Sequence, residues 1–130
     1  MPRGRAPGYD DQRELILARA AQLFARRGYS ATSMNELAQA CGVSKATLYH
    51  YYRDKYAMLV SIAEGHVQRL RSLVGDVEAE KHAPEQRLRE LIRRIVEEYA
   101  DAQHAHRVLT DDVKFLDEAD RERVLGVERE

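Results

Sequence analysis

The sequence has no tryptophan, one cysteine, three prolines and seven glycines among its 130 residues. The lone Cys41 excludes an internal disulfide framework and suits a reducing compartment, so a cytoplasmic location is expected. The scarcity of proline and glycine removes the usual interruptions of a helix, and no alternating run of Val, Ile and Thr offers a strand. No apolar stretch approaches the span of a bilayer, so no membrane partner is expected. Arg3 and Arg5 near the start have no apolar segment behind them, so no secretion signal is expected either. There is no nucleophile and base set, no phosphate loop and no metal-ligand spacing; neither a cofactor nor a metal is expected.

What is present is helix-forming. Ala, Leu, Glu and Arg abound, apolar residues make up 44% and charged residues 33%, the mixture of amphipathic helices packed on a core. The length allows one compact domain, or a small domain with a helical extension. The fold class expected is all-α. The net charge of −1 conceals an asymmetry. Residues 1–56 carry nine Lys and Arg against five Asp and Glu, while residues 57–130 carry twelve against seventeen. Phosphates are attracted to the first part and repelled by the second, so any nucleic-acid site belongs in the first.

Residues 1–9, rich in Pro, Gly and Arg, read as a flexible basic arm. Asp10 or Asp11 is then expected to cap a first helix whose apolar face is Ile16, Ala20, Leu23 and Phe24, ending at Gly28. Ser33 and Glu36 stand three apart, the spacing of a capping box, and open a short helix with Leu37, Ala38 and Cys41 facing inward. Gly42 can take a positive φ without steric cost and allows a tight turn. Val43 fills the angle, and Ser44 caps a third helix from Lys45 to about Tyr52, with Leu48 and Tyr51 inward. Asp54 caps a long fourth helix with Leu59, Ile62, His66, Leu70, Leu73 and Val77 inward. Pro84 starts the next, carrying Leu88, Leu91, Ile92, Ile95, Tyr99, Ala102 and His106. Thr110 to Asp112, or Asp117, caps a last segment, 113–130. Residues 124–130 still read as helix, so further sequence is expected beyond Glu130.

Short helix, glycine turn, short helix is helix-turn-helix geometry, in which the second helix enters the major groove of DNA. The polar face of the third helix suits that role. Lys45, Thr47, Tyr49 and His50 lie on it, Ser44 and free amides stand at its start, and Lys55 follows. Ala46 is small enough to let the helix approach base edges and to touch a thymine methyl. The run Phe24-Ala25-Arg26-Arg27-Gly28-Tyr29, then Thr32-Ser33-Met34-Asn35-Glu36-Leu37-Ala38, then Cys41 through Tyr52, then Lys55 and Leu59, resembles the TetR-family DNA-binding domain from about residue 11 to 62 without a gap. Tyr52 stands where that family more often has Phe, and Ala46 where Gly is common.

The resemblance implies a three-helix DNA-binding head of the tetra-helical helix-turn-helix kind, spanning 10–53. It implies the first part of a helical-bundle effector-binding and dimerisation domain over 54–130. It further implies a homodimer on a palindromic operator of double-stranded DNA, with recognition helices about 34–36 Å apart, and a ligand-responsive repressor released by a small-molecule effector. Carried onto this chain, Ser33, Thr47, Tyr49 and Lys55 would hold phosphates; Lys45, Ala46 and His50 would face bases. The arm's Arg3 and Arg5 have two readings, a minor-groove contact and a non-contacting tail.

Other features have plainer readings. Tyr51 reads as core and Cys41 as a small core residue. His104 and His106 point to different sides of a helix, and His66, His106 and Asp111 lack metal-ligand spacing. Residues His66, Leu70, Leu73, Leu91, Ile95, Tyr99 and His106 are candidates for lining an effector cavity; ordinary bundle core is the alternative. An enzyme or carrier on a helical bundle, and a helical interaction module, are the competing function classes. The basic first part and the Lys45–Tyr49 run favour the regulator.

Overall fold

The computed structural model describes residues 8–126. Among the described residues there are six α-helices, one 3-10 turn and no strand, in agreement with the all-α expectation. They are α1 (Tyr9–Arg27), α2 (Met34–Cys41), α3 (Lys45–Tyr51), α4 (Lys55–Ala79), α5 (Pro84–Asp112), the turn Val113–Phe115 and α6 (Glu118–Leu125).

The first helix starts earlier than the sequence suggested. α1 begins at Tyr9, inside the stretch read as arm, and Gly8 rather than Asp10 or Asp11 occupies the cap position. The two aspartates lie in the first turn instead, where negative charge complements the helix dipole. Ile16, Ala20, Leu23 and Phe24 are buried as their spacing requires. In α2 the capping box forms in both directions: the Glu36 amide donates to Ser33 Oγ at 3.1 Å, and the Ser33 amide donates to Glu36 Oε1 at 3.0 Å. Arg27 at the end of α1 reaches the same glutamate at 2.7 Å, so one side chain ties the two helices together. The Ser33 amide is the main reason the Glu36 carboxyl lies below the ordinary glutamate range.

The turn after α2 is closed by its own backbone. Gly42 takes φ 69°; its amide donates to Gln39 O and the Val43 amide to Ala38 O, both at 3.1 Å. This is a Schellman closure, and the left-handed residue it needs is the glycine. Ser44 then caps α3, and Leu48 is fully buried. The core aromatic of this region is Tyr52, 3% exposed, while Tyr51 is half-buried. Tyr52 sits one residue past α3 with extended backbone, which turns its ring back toward α1. There its hydroxyl donates to Arg13 O at 3.4 Å, and burial pushes the phenol up to about 12.

Asp54 caps α4 by accepting from the Ala57 amide at 2.8 Å. Met58, Leu59, Ile62 and Ala63 of α4 join the head's core, which continues without a break through Ala105, Val108, Leu116 and Val124. α4 therefore belongs to the head and to the rest of the chain at once. Of its expected inward residues, Leu59, Ile62, His66 and Val77 are buried, whereas Leu70 and Leu73 are half-buried.

α5 departs most from expectation. Its first turn holds Pro84, and it kinks at Ala102 (φ −123°, ψ 31°). The stripe expected to face inward is largely open: Leu88 is 59% exposed, Ile92 53%, Ile95 41% and Tyr99 53%, with Val96 beside them at 61%. Among the described residues, α5 packs chiefly on α4 and α1. Those neighbours cover one side of a helix whose apolar stripe is wider than that side.

Asp117, one of the two expected caps, caps α6 by accepting from the Asp120 amide at 2.8 Å. The Thr110–Asp112 stretch ends α5 instead. Tyr56 of α4 holds α6 in place. Its hydroxyl donates to Asp120 Oδ2 at 2.8 Å and accepts the Asp117 amide at 2.9 Å. The expected continuous helix over 124–130 is overturned at Gly126, whose φ of 70° closes α6 after Leu125. Residues 127–130 lie outside the described residues, as do Arg3 and Arg5 of the arm.

Candidate nucleic-acid interface

α3 presents opposite characters on its two sides. Leu48 is wholly buried, and around it Lys45, Ala46, Thr47, Tyr49 and His50 are all exposed. The start of the helix is fixed by Ser44: its Oγ accepts the Thr47 amide at 3.0 Å and lies 2.8 Å from Thr47 Oγ1. A hydroxyl oxygen that accepts an amide keeps its own proton, which leaves Ser33 a donor to phosphate oxygens; the Ser44 hydroxyl donates to Thr47 Oγ1 instead. Seven of the eight residues expected to meet DNA are thus exposed: Ser33, Ser44, Lys45, Ala46, Thr47, Tyr49 and His50.

The eighth, Lys55, is half-buried and turned toward the protein. Its Nζ donates to Tyr29 O at 2.8 Å and stands 4.2 Å from the Tyr29 ring centre. The same ring packs against Phe24 and Phe115, so Lys55 is held at the joint between the head and the C-terminal turn.

One aromatic escaped the sequence reading because it lies at the end of the stretch taken for arm. The Tyr9 ring stacks on Tyr51, with centroids 4.9 Å apart and planes 30° apart. It also meets His50 edge-on at 6.1 Å and 85°. His50 in turn stands edge-on to Tyr51 at 5.5 Å. The first residue of α1 is therefore part of the surroundings of α3. A Tyr just ahead of an apolar helix face was the available signal.

The effector candidates line the α4–α5 side in an uneven way. His66 is 1% exposed, and its Nε2 is 3.4 Å from His106 Nδ1; Tyr99 stands edge-on to His106 at 5.2 Å. The Nδ1 of His66 is buried without a hydrogen-bond partner. Burial, with the positive charge of Arg69 and the neighbouring His106, lowers the His66 pKa. Leu70, Leu73 and Leu91 are half-buried, and Ile95 and Tyr99 are exposed. Asp111, which the sequence allowed beside the two histidines, instead pairs with Arg107 at 3.3 Å. Among the described residues no three His, Cys, Asp or Glu side chains are placed to hold a metal ion. Cys41 is half-buried, and burial raises its thiol pKa, in keeping with a packing role. A groove of about 380 Å³ that the sequence did not suggest runs between α1, α4 and α5. Leu17, Ala21, Ile62 and Ala105 form its apolar part, and the Arg69–Glu98 ion pair borders it.

A capped helix that buries one leucine and exposes five short or polar side chains, set behind a glycine turn, defines a helix-turn-helix protein of the DNA-binding class. Residues 16–62 match the model for bacterial regulatory proteins of the tetR family. These residues form a DNA-binding domain of the TetR family of transcriptional regulators. It is similar to the crystal structure of a TetR-family transcriptional regulator from Bordetella parapertussis 12822, at 34% identity over 91% of this chain and 62% of that one, with a TM-score of 0.86. It is similar also to AibR, crystallised with isovaleryl coenzyme A and operator DNA, at 28% identity over 87% of this chain and 62% of AibR, with a TM-score of 0.73. Its first part is 39% identical over 56 residues to the transcriptional repressor NemR of Escherichia coli K12, covering 43% of this chain and 28% of NemR. The matches to the first curated relatives span between 18% and 33% of those proteins' length. These relatives regulate transcription and are not enzymes. Among the described residues no helix is long and apolar enough to cross a membrane.

Proposed function

We propose that the chain is the DNA-reading part, with the first section of the sensing part, of a cytoplasmic, ligand-responsive transcriptional repressor. It acts as a homodimer on a palindromic operator and is released by a small-molecule effector. The division is a DNA-binding head that begins with α1 and runs to residue 53, and the beginning of the effector and dimerisation domain over 54–130. The observation that carries this reading is the exposed face of α3, with Lys45, Ala46, Thr47, Tyr49 and His50 on a helix anchored by Leu48.

In this reading Lys45 reaches a guanine edge, Ala46 and His50 face bases, and Ser33, Thr47 and Tyr49 hold phosphates. Lys55 reaches phosphate by exchanging its Tyr29 contacts for the anion. His66, Leu70, Leu73, Leu91, Ile95, Tyr99 and His106 form the near wall of the effector site. The structure of AibR with both a coenzyme A ester and operator DNA supports the pairing of a ligand site with a DNA head. The unbroken core through α4 supplies a path between them.

Binding to genomic fragments, including the region upstream of the coding sequence, measured across a salt series, tests the reading. Sequence-selective affinity that falls steeply with salt is the expected result. Unselective binding by a chain shown by sedimentation to be dimeric would refute it. The double variant Lys45→Ala, Tyr49→Ala should keep its helical spectrum and lose the selectivity.

A further inference from the structure

We infer that Tyr9 is a positioning residue for DNA reading. It holds the His50 side chain, from a site 41 residues away in sequence, in the orientation in which His50 meets its base pair. The inference rests on the reading of α3 as the recognition helix and goes beyond it, because Tyr9 lies outside that helix and outside the matched stretch 16–62.

His50 is exposed, and an exposed imidazole on a helix has two freely turning side-chain bonds. Fixing such a side chain on binding costs rotamer freedom, and a side chain already fixed in the free protein avoids that cost. The structure supplies the fixing. The Tyr9 and Tyr51 rings stack at 4.9 Å, and His50 stands nearly perpendicular to both, at 85° to the first and 83° to the second. Edge-to-face contact at these separations is the favoured arrangement of aromatic pairs. Tyr51, adjacent to His50 on the same helix, is one ring contact; Tyr9 supplies a second from another helix. Tyr9 is well placed to do so, since α1 starts at this residue and is anchored from Ile16 onward in the core that also holds Leu48.

The contact is between rings, so Tyr9→Phe preserves it and Tyr9→Leu removes it at similar bulk. The test selects binding sites from a random DNA library with the 130-residue chain. It then compares base preferences for the unaltered chain, His50→Ala, Tyr9→Leu and Tyr9→Phe. His50→Ala marks the base pairs that His50 reads. Tyr9→Leu should weaken the preference at those base pairs by about 2- to 10-fold, leaving preferences elsewhere and affinity for random DNA unchanged, while Tyr9→Phe keeps the original pattern. A uniform loss at all positions, an unchanged pattern, or equal failure of Phe and Leu would each overturn the inference. If the unaltered chain, shown by sedimentation to be dimeric, selects no sequence, the DNA reading itself falls and the inference with it. Nuclear relaxation of the His50 ring in the free protein gives a check without DNA: Tyr9→Leu should free its motion and Tyr9→Phe should not, and equal motion in all three again overturns it.

Discussion

Leu48 and Tyr49 are adjacent in the chain and have opposite tasks. Leu48 has no exposed surface, so Leu48→Ala leaves a cavity in the head and should cost about 2–5 kcal/mol in a urea unfolding experiment. Tyr49 is 45% exposed, so Tyr49→Ala should change stability by no more than about 0.5 kcal/mol, with its effect appearing in DNA binding. Lys45→Ala should reduce affinity for the selected site by roughly 5- to 150-fold, the equivalent of about 1–3 kcal/mol, and flatten the preference at one base pair; a filter-binding titration against single-base variants reads both. The α3 residues were legible at this scale because a capped helix with one buried leucine fixes which side chains are left outside. Tyr51 and Tyr52 were not, since the chain leaves the helix between them, and the extended backbone at Tyr52 exchanges the inward role.

Helix ends were readable where a side chain closes them and less so where backbone does. Ser33, Ser44, Asp54 and Asp117 all accept the amide three residues on, as their types suggested. Ser33→Ala removes one bond of the capping box and leaves the Glu36 partner exposed, and should destabilise the head by about 1 kcal/mol in thermal unfolding. At α1 the cap is Gly8, with no side-chain bond, and the neighbouring aspartates drew the boundary too late. At α6 the left-handed Gly126 stops a pattern that otherwise reads as helix. Periodicity located α5 but overstated its burial. Spacing reveals that Leu88, Ile92 and Ile95 share a face; it does not say which neighbour covers that face.

At the scale of the whole molecule, α4 and α5 meet in a polar contact, the buried His66 against the half-buried His106, with the Arg69–Glu98 ion pair as a second link. The pairing was not legible in the sequence, because it joins residues forty positions apart on helices whose register only packing decides. It has a consequence for stability. In the unfolded chain His66 takes up a proton near its ordinary value of 6.5; in the folded chain it does so only at lower pH. Between those two values the unfolded state binds more protons, so this contribution is fully present above about pH 6.5 and is lost as the pH falls below it. The melting temperature should therefore drop between pH 7 and pH 5, and His66→Leu should flatten that part of the curve. The open stripe of α5 acts on a different property, the colloidal behaviour of the polypeptide. Five large apolar side chains standing in water along one helix should light up a hydrophobic dye and make the sedimentation coefficient climb with concentration. Val96→Lys in the middle of the stripe should quiet both without moving the melting temperature.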